Sequence, residues 1–224
     1  MGTDIHLYVE KRNTDGTWSA VKIPYSGWAG GKKYHDGYRG WSDRSYDTFA
    51  ILADVRNGRG FAGVVTGDGF NIIAEPRGIP DDISDTLKPV DRDEEEEEEE
   101  SDERRPWIGD HSFSWLTYSE IVGFDWTQTT HRQGVVGATE YAEFKKNGRP
   151  TSWSGGVWGR DVVHVTNEEM DAGLRGDGIF TSVRWQVSYS EVAAPFLRWL
   201  NKVVKPIADV VGGDNVRLVF GFDS

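Results

Sequence analysis

The chain of 224 residues contains no cysteine. This absence excludes disulfide bonds, thiolate metal ligands and a cysteine nucleophile, and it fits a reducing compartment. The sequence also lacks an apolar run of the roughly 20 residues that a membrane-spanning helix needs. Because no basic segment followed by an apolar stretch opens it, we expect no secretory signal and a soluble, cytoplasmic protein without a membrane partner.

Histidines are few, and none of them forms a recognisable catalytic motif. The five are His6, His35, His111, His131 and His164. No pair has the spacing of a zinc-protease helix, and no Gly-x-Ser-x-Gly nucleophile elbow occurs. The sequence therefore leaves open whether the protein is an enzyme.

Positive charge is in short supply, since 25 basic residues face 37 acidic ones and the net charge is −12. Between Asp91 and Arg104, eleven acidic residues stand against two arginines, so this run carries most of that charge. Repulsion among like charges predicts a disordered acidic insertion over residues 91–105. The rest of the chain has no broad basic face, which argues against duplex nucleic acid as a partner.

The N-terminal residues form the clearest pattern that is present. In an extended chain Asp4, His6, Tyr8 and Glu10 share one face, and the apolar residues between them share the other. Residues 4–12 and 17–23, joined by a turn at 13–16, predict a β-hairpin. The polar row fits either a functional site or a solvated outer surface.

Further elements follow from local signals. The pattern predicts a helix from Tyr46 to Arg56, with Asp43 or Ser45 as N-cap and Asn57-Gly58 at its end. Capping boxes beginning at Thr117 and Thr166 open two short helices. Further helices are predicted over 138–146 and 191–204, the latter capped by Ser190, and strands over 162–165, 179–189 and 216–222. Strands at both ends with helices between them predict a single α+β domain over 1–224, with paired terminal strands and the acidic insertion within it.

Arginine beside rings and turns is the strongest binding signal. Arg44, Arg56 and Arg77 each lie next to an aromatic residue, a glycine or a proline, where a rigid backbone aims a guanidinium group at phosphate or carboxylate. An equally weighted alternative is that these arginines bond local carbonyls and acids such as Asp47. The full set of candidate ligand-binding residues is Tyr46, Asp47, Arg56, Arg77, His111, Ser112, Ser114, Trp115 and Trp126.

Two other motifs occur in the sequence. Gly58-Arg59-Gly60-Phe61-Ala62-Gly63 matches the dinucleotide fingerprint, but it follows a predicted helix rather than a strand, which argues against a Rossmann site. Asp4, His6 and His111 are the residues from which a divalent metal site could be assembled. The alternative for Asp4 and His6 is a structural hydrogen bond or simple solvation.

The chain resembles a group of short, uncharacterised phage and prophage proteins that open with Met-Gly-x-Asp-Ile-His. The similar stretches are Gly2–His6, Tyr46–Asn57, Pro76–Pro80, His111–Leu116, Asp125-Trp126 and Val216–Asp223. The resemblance implies a phage setting, and hence a host cytoplasm, and a signature concentrated on polar residues.

These observations favour one function and leave two alternatives. The leading hypothesis is a pocket for a small anionic, nucleotide-derived ligand, which would let the protein sequester or modify a host signalling nucleotide. The first alternative is a metal-dependent hydrolase that uses Asp4, His6 and His111. The second is a protein that binds a host macromolecule through Trp-rich loops or the acidic tract. The oligomeric state is left open.

Overall fold

A computed structural model describes residues 2–23, 37–89 and 106–223 of the chain. The predicted acidic insertion over 91–105 lies outside these residues. The described residues form an α+β fold, which confirms the predicted fold class. The strands are β1 (Asp4–Arg12), β2 (Trp18–Ala20), β3 (Arg39–Trp41), β4 (His111–Thr117), β5 (Thr129–Gly137), β6 (Val163–Val165), β7 (Ile179–Ser188) and β8 (Val216–Asp223). The helices are α1 (Tyr46–Ala53), α2 (Tyr118–Gly123), α3 (Ala138–Asn147), α4 (Asn167–Asp171), α5 (Tyr189–Val192), α6 (Ala194–Trp199) and α7 (Lys205–Val211).

The first sheet joins the two ends of the chain. Its order is β2-β1-β8-β4, and β3 also pairs with β1. The strands β1 and β8 run antiparallel from Asp4 opposite Asp223 to Lys11 opposite Val216. The predicted hairpin and the predicted pairing of the terminal strands are both confirmed.

Both faces of this sheet are covered. Ile5, Leu7 and Val9 point into a core formed with α1 and the C-terminal helices. Tyr8 packs on the opposite face against Ile83 and other residues of a second, smaller cluster. The polar row of β1 is therefore largely enclosed rather than solvated, and its Glu10 is 0% exposed.

The second sheet has the order β5-β7-β6, with β6 parallel to β7. In β7 the residues Val183, Trp185 and Val187 are buried and alternate with exposed Arg184 and Gln186, as their spacing predicts. The strand β5, by contrast, was not predicted. It pairs with β7 along its whole length, from Thr129 opposite Ser188 to Gly137 opposite Phe180.

Helix α1 connects the cores of the two sheets. Every residue from Thr48 to Ala53 is buried; Phe49 and Leu52 pack into the first core and Ala50 and Ile51 into the second. Its N-cap is Ser45, one of the two predicted caps. The helix ends at Ala53 because Asp54 adopts a left-handed conformation, with φ 59°. The prediction that it extends to Arg56 was wrong by one turn.

The C-terminal helical region is more broken than predicted. The chain turns at Ala193 between α5 and α6, and a π-helical stretch, Leu200–Val204, leads into α7. Ser188 rather than Ser190 is the cap, because its side chain accepts from the Glu191 N–H. Pro206 lies within the first turn of α7, directly after the π-helical stretch.

Within the part of the chain that the structure describes, no helix combines the length and the apolar character that crossing a bilayer demands.

Candidate functional site

A cavity of about 230 Å³ opens where α1 begins, beside β5 of the second sheet. Its walls come from three places: the start of α1, the loop that follows α1, and β5 with the segment after α3. The lining side chains that can make polar or aromatic contacts are Arg44, Ser45, Tyr46, Asp47, Arg56, Arg59, Thr66, Phe70, His131, Arg132 and Trp153. Three of the predicted ligand-binding residues, Tyr46, Asp47 and Arg56, are thus brought together.

Residues of the N-terminal segment form hydrogen bonds with two of the lining arginines, Arg44 and Arg56. Asp4 accepts two hydrogen bonds from Arg44, at 2.6 Å from Nε and 2.7 Å from Nη2. Those bonds are the main cause that lowers the pKa of Asp4 below its ordinary value. The Arg56 Nε donates to Thr3 Oγ1 at 2.7 Å, and its guanidinium carbon lies 4.8 Å from the centre of the Tyr46 ring. Asp4 therefore positions a cation at the cavity.

The glycine-rich loop after α1 carries Arg59 and closes onto β5. Its backbone pairs with itself through Thr66 N–H and Gly58 O at 2.8 Å, and with β5 through Gln133 N–H and Thr66 O at 2.9 Å. At Gly67, a β-carbon would lie 2.3 Å from the His131 carbonyl oxygen, so only glycine permits this approach. The dinucleotide-like glycines thus form a hairpin that lines the cavity, not a strand-to-helix turn.

Arg56 itself has a left-handed backbone, with φ 54°. This conformation is uncommon for a residue with a β-carbon and persists where surrounding contacts enforce it. Asn57 supplies such contacts, because its side chain accepts from the Phe70 N–H at 2.6 Å and donates to the Phe70 carbonyl at 2.8 Å. The backbone at Arg56 is held in place by the closure of the loop.

Strand β5 contributes His131 and Arg132. Arg132 forms an ion pair with Asp47, and its guanidinium carbon lies 5.7 Å from the centre of the Trp153 ring. His131 Nδ1 lies 3.5 Å from Asp68 Oδ2, and Asp68 also pairs with Arg184. Asp47 and Arg132 therefore form an ion pair in the wall of the cavity.

The cavity carries excess positive charge. Four of the described lining residues are arginines, and the one acidic residue among them is Asp47. Asp4, just outside the lining, offsets part of the charge of Arg44. Arg56 and Arg59 add further positive charge; Arg59 bonds the Gly63 carbonyl at 3.4 Å. An anionic group of several oxygen atoms fits this arrangement best.

The cavity continues into a wider cleft of about 820 Å³. Ser45, Asp47, Arg132 and Trp153 line both spaces. The cleft adds Asn147, Arg149, Pro150, Thr151, Trp185, Val187, Glu191 and Val192. The two spaces therefore adjoin at a shared wall. We call the smaller space, with Arg44, Arg56 and Arg59, the narrow end, and the larger space, with Trp185, the wide end.

Three other predicted ligand-binding residues lie together elsewhere, on the first sheet. Arg77 makes two bonds with the Glu120 carboxylate, one of 3.0 Å and one of 2.5 Å, and its guanidinium carbon lies 4.7 Å from the centre of the Trp115 ring. Ser114 is 1% exposed and accepts the Arg77 backbone N–H at 3.1 Å. This group ties the 76–78 turn to β4 and α2 and lines neither cavity, so its contacts are structural.

The remaining predicted residues also lie apart from the cavity. His111 Nδ1 is 3.0 Å from Ser112 Oγ, at the start of β4, and the His111 ring stacks on Phe222 at 6.2 Å. Trp126 donates its indole N–H to the Ile121 carbonyl at 2.8 Å and packs against both cores. Trp126 therefore anchors its loop to the two cores.

The three predicted metal ligands do not converge. Asp4 is held by Arg44, His6 Nε2 lies 3.2 Å from Asp223 Oδ2, and His111 is on β4, which β8 separates from β1. Among residues 2–23, 37–89 and 106–223, no group of three histidines and acids is placed to hold a metal ion. The hydrolase alternative thus has no assembled ligand set in the described residues.

Sequence reasoning missed Arg59, His131, Arg132 and Trp153 as site residues. Arg59 belongs to the motif Gly58–Gly63, which did not fit a dinucleotide site. It also lies between two glycines, so the argument that selected Arg56, an arginine on a rigid turn, applies to Arg59 as well. His131 and Arg132 lie on β5, whose polar residues occur on both faces and give no strand signal. Trp153 has no local signal, because its role depends on a contact with β5.

The comparisons with known proteins add no further identification. Searches of protein-family models, curated proteins and solved structures find no match to this chain. The resemblance to phage proteins therefore stays a prediction, and the function has to be argued from the site itself.

Proposed function

We propose that this protein binds a small anionic ligand in the cavity at the start of α1, and that phosphate is the anionic group. The observation that carries the proposal is the convergence of Arg44, Arg56, Arg59 and Arg132 on one cavity in a chain of net charge −12. Guanidinium groups present paired N–H donors that match the geometry of phosphate oxygens.

The surroundings support binding rather than mere charge neutralisation. Arg44 and Arg132 have carboxylate partners, Asp4 and Asp47, which fix their positions. Arg59 is exposed at the rim and bonds a backbone carbonyl, so its charge is not neutralised by that contact. A ligand phosphate would place a negative charge beside it.

The test is isothermal titration calorimetry with pyrophosphate and ribose 5-phosphate. A hydrogen bond to a charged group contributes about 1.5–3 kcal/mol, so losing one guanidinium group weakens binding by roughly tenfold or more. We expect this loss for Arg59→Gln and a larger one for the Arg56→Gln/Arg59→Gln pair. Arg160→Gln is the matched control, because Arg160 is exposed and lines neither space.

The proposal is contradicted if the wild-type protein binds neither compound at millimolar concentration, or if Arg160→Gln weakens binding as much as Arg59→Gln. The biological role inferred from the phage resemblance is the sequestration or modification of a host signalling nucleotide. Sequestration predicts that the ligand is recovered unchanged after incubation, whereas modification predicts a new product; chromatography of the mixture distinguishes the two.

A further inference from the structure

The two connected spaces differ in chemistry, and this difference defines the class of ligand. Three arginines, Arg44, Arg56 and Arg59, line only the narrow end, and Trp185 lines only the wide end. The wide end also contains Arg149, but this arginine is paired with Glu191. The Trp153 ring meets Trp185 edge to face at 5.3 Å. Trp153 lines both spaces and is half-buried, so part of its ring remains accessible from the site.

Trp153 is fixed in place by β5. Its neighbour Ser154 pairs with Val135 through two backbone hydrogen bonds of 2.7 and 3.1 Å. Opposite the ring stands Gly134, where a β-carbon would lie 2.5 Å from Trp153 Cε3. Glycine weakens the interior of a strand and marks a place where another group approaches closely. Here that group is the Trp153 indole, whose position is fixed by contacts within the protein.

We infer that Trp153 is the stacking platform for an aromatic base, and that the ligand is a nucleotide whose phosphate occupies the arginine end. This inference rests on the proposed anion site. Asp47 lies on the wall shared by the two spaces, where a ribose would join phosphate to base, and a carboxylate accepts hydrogen bonds from sugar hydroxyls. Thr151 and Asn147 border the wide end and offer groups that can bond a base edge.

The experiment compares three probes by calorimetry: pyrophosphate, ribose 5-phosphate and adenosine 5′-monophosphate. Stacking of one base on an aromatic side chain corresponds to roughly five- to hundredfold in affinity. We expect adenosine 5′-monophosphate to bind the wild-type protein more tightly than ribose 5-phosphate by such a factor. Trp153→Leu should abolish this preference, so that this variant binds the two compounds with affinities within about twofold of each other. The ratio of the two affinities is the readout, because Trp153 also contacts Arg132 at the anion site.

Two further variants protect the result against a folding defect. Trp153→Phe keeps an aromatic face and should retain most of the preference for the nucleotide. Trp158→Leu is the matched control, because Trp158 is 75% exposed and lines neither space. It should leave both affinities unchanged.

The possible failures separate the two proposals. If ribose 5-phosphate and the nucleotide bind equally well and both depend on Arg59, the stacking platform is refuted and the anion site stands. The platform is also refuted if Trp153→Leu keeps the preference. If none of the three probes binds, both the anion site and the stacking platform are refuted.

Discussion

The buried ion pair between Glu10 and Arg217 offers a sharp test of how the first sheet is built. Glu10 is 0% exposed and Arg217 is 2% exposed, and Arg217 Nε lies 2.7 Å from Glu10 Oε2. Arg217 also donates to Asp82 Oδ1 at 2.6 Å, and its guanidinium carbon lies 4.0 Å from the centre of the Trp18 ring. The substitution Arg217→Met keeps an unbranched apolar stem but removes the charge.

The expected cost follows from the Glu10 carboxylate that remains. Without Arg217 it keeps the bond from the Ser84 N–H, at 2.8 Å, but among the described residues no other cation forms an ion pair with it. Removing one member of a buried ion pair costs about 3–5 kcal/mol, a large share of the roughly 5–15 kcal/mol that stabilises an ordinary domain. Urea denaturation followed by circular dichroism measures this loss as a lower midpoint at unchanged slope.

The double variant Glu10→Leu/Arg217→Met provides the control. Because apolar residues of similar volume often replace a buried pair at little cost, we expect the double variant to be more stable than Arg217→Met alone. It should remain about 1–3 kcal/mol below the wild type, because the buried Ser84 N–H loses its acceptor. A loss below about 1 kcal/mol for Arg217→Met alone would refute the reasoning. It would mean that water reaches Glu10 in solution.

Two other predictions concern residues that sequence reasoning placed in a site. Burial, followed by the nearby charge of Arg39, lowers the pKa of His6 below its ordinary value, although Asp223 acts in the opposite direction. The unfolded chain therefore binds the proton more readily, so the free energy of unfolding should fall by up to about 1.4 kcal/mol per unit as the pH drops below about 6.5, and His6→Gln should flatten this slope in urea titrations. Arg77→Ala should lower stability by about 1 kcal/mol, through loss of the Glu120 pair and the Trp115 contact. The same variant should leave the affinity for pyrophosphate, measured by calorimetry, unchanged. A weakened affinity would contradict the conclusion that Arg77 lies outside the binding site.

Local signals predicted much of the fold. The capping boxes at Thr117 and Thr166 are both formed, and the alternation in β7 sets its buried face. These features depend on residues within a few positions of each other. Strand β5 had no such signal, because its polar residues His131 and Arg132 are stabilised by pairing with β7 and by the glycine loop that docks on it.

The same distinction applies to the site. Tyr46, Asp47 and Arg56 were predicted together because one segment of the chain carries all three. Arg132 and Trp153 join them through contacts across some hundred positions, which periodicity does not reveal. Arg77 has the same local features as Arg56, but Glu120 lies within its reach and engages both of its terminal nitrogens. Local pattern therefore identified suitable residue types, and the tertiary fold decided which of them face the cavity.

Arg56 was predicted from its local sequence, and it also lines the cavity in the fold. Two substitutions separate the effect of its backbone on stability from the effect of its side chain on binding. Its left-handed backbone costs a residue with a β-carbon roughly 1–2 kcal/mol. Arg56→Gly and Arg56→Ala both remove the guanidinium group and its bond to Thr3, but only glycine relieves the backbone. We therefore expect the glycine variant to be more stable than the alanine variant by about 1 kcal/mol, since the greater freedom of unfolded glycine offsets part of the gain. Both should bind pyrophosphate with the same weakened affinity. Equal stabilities would contradict the backbone argument, and wild-type affinity in either variant would remove Arg56 from the site.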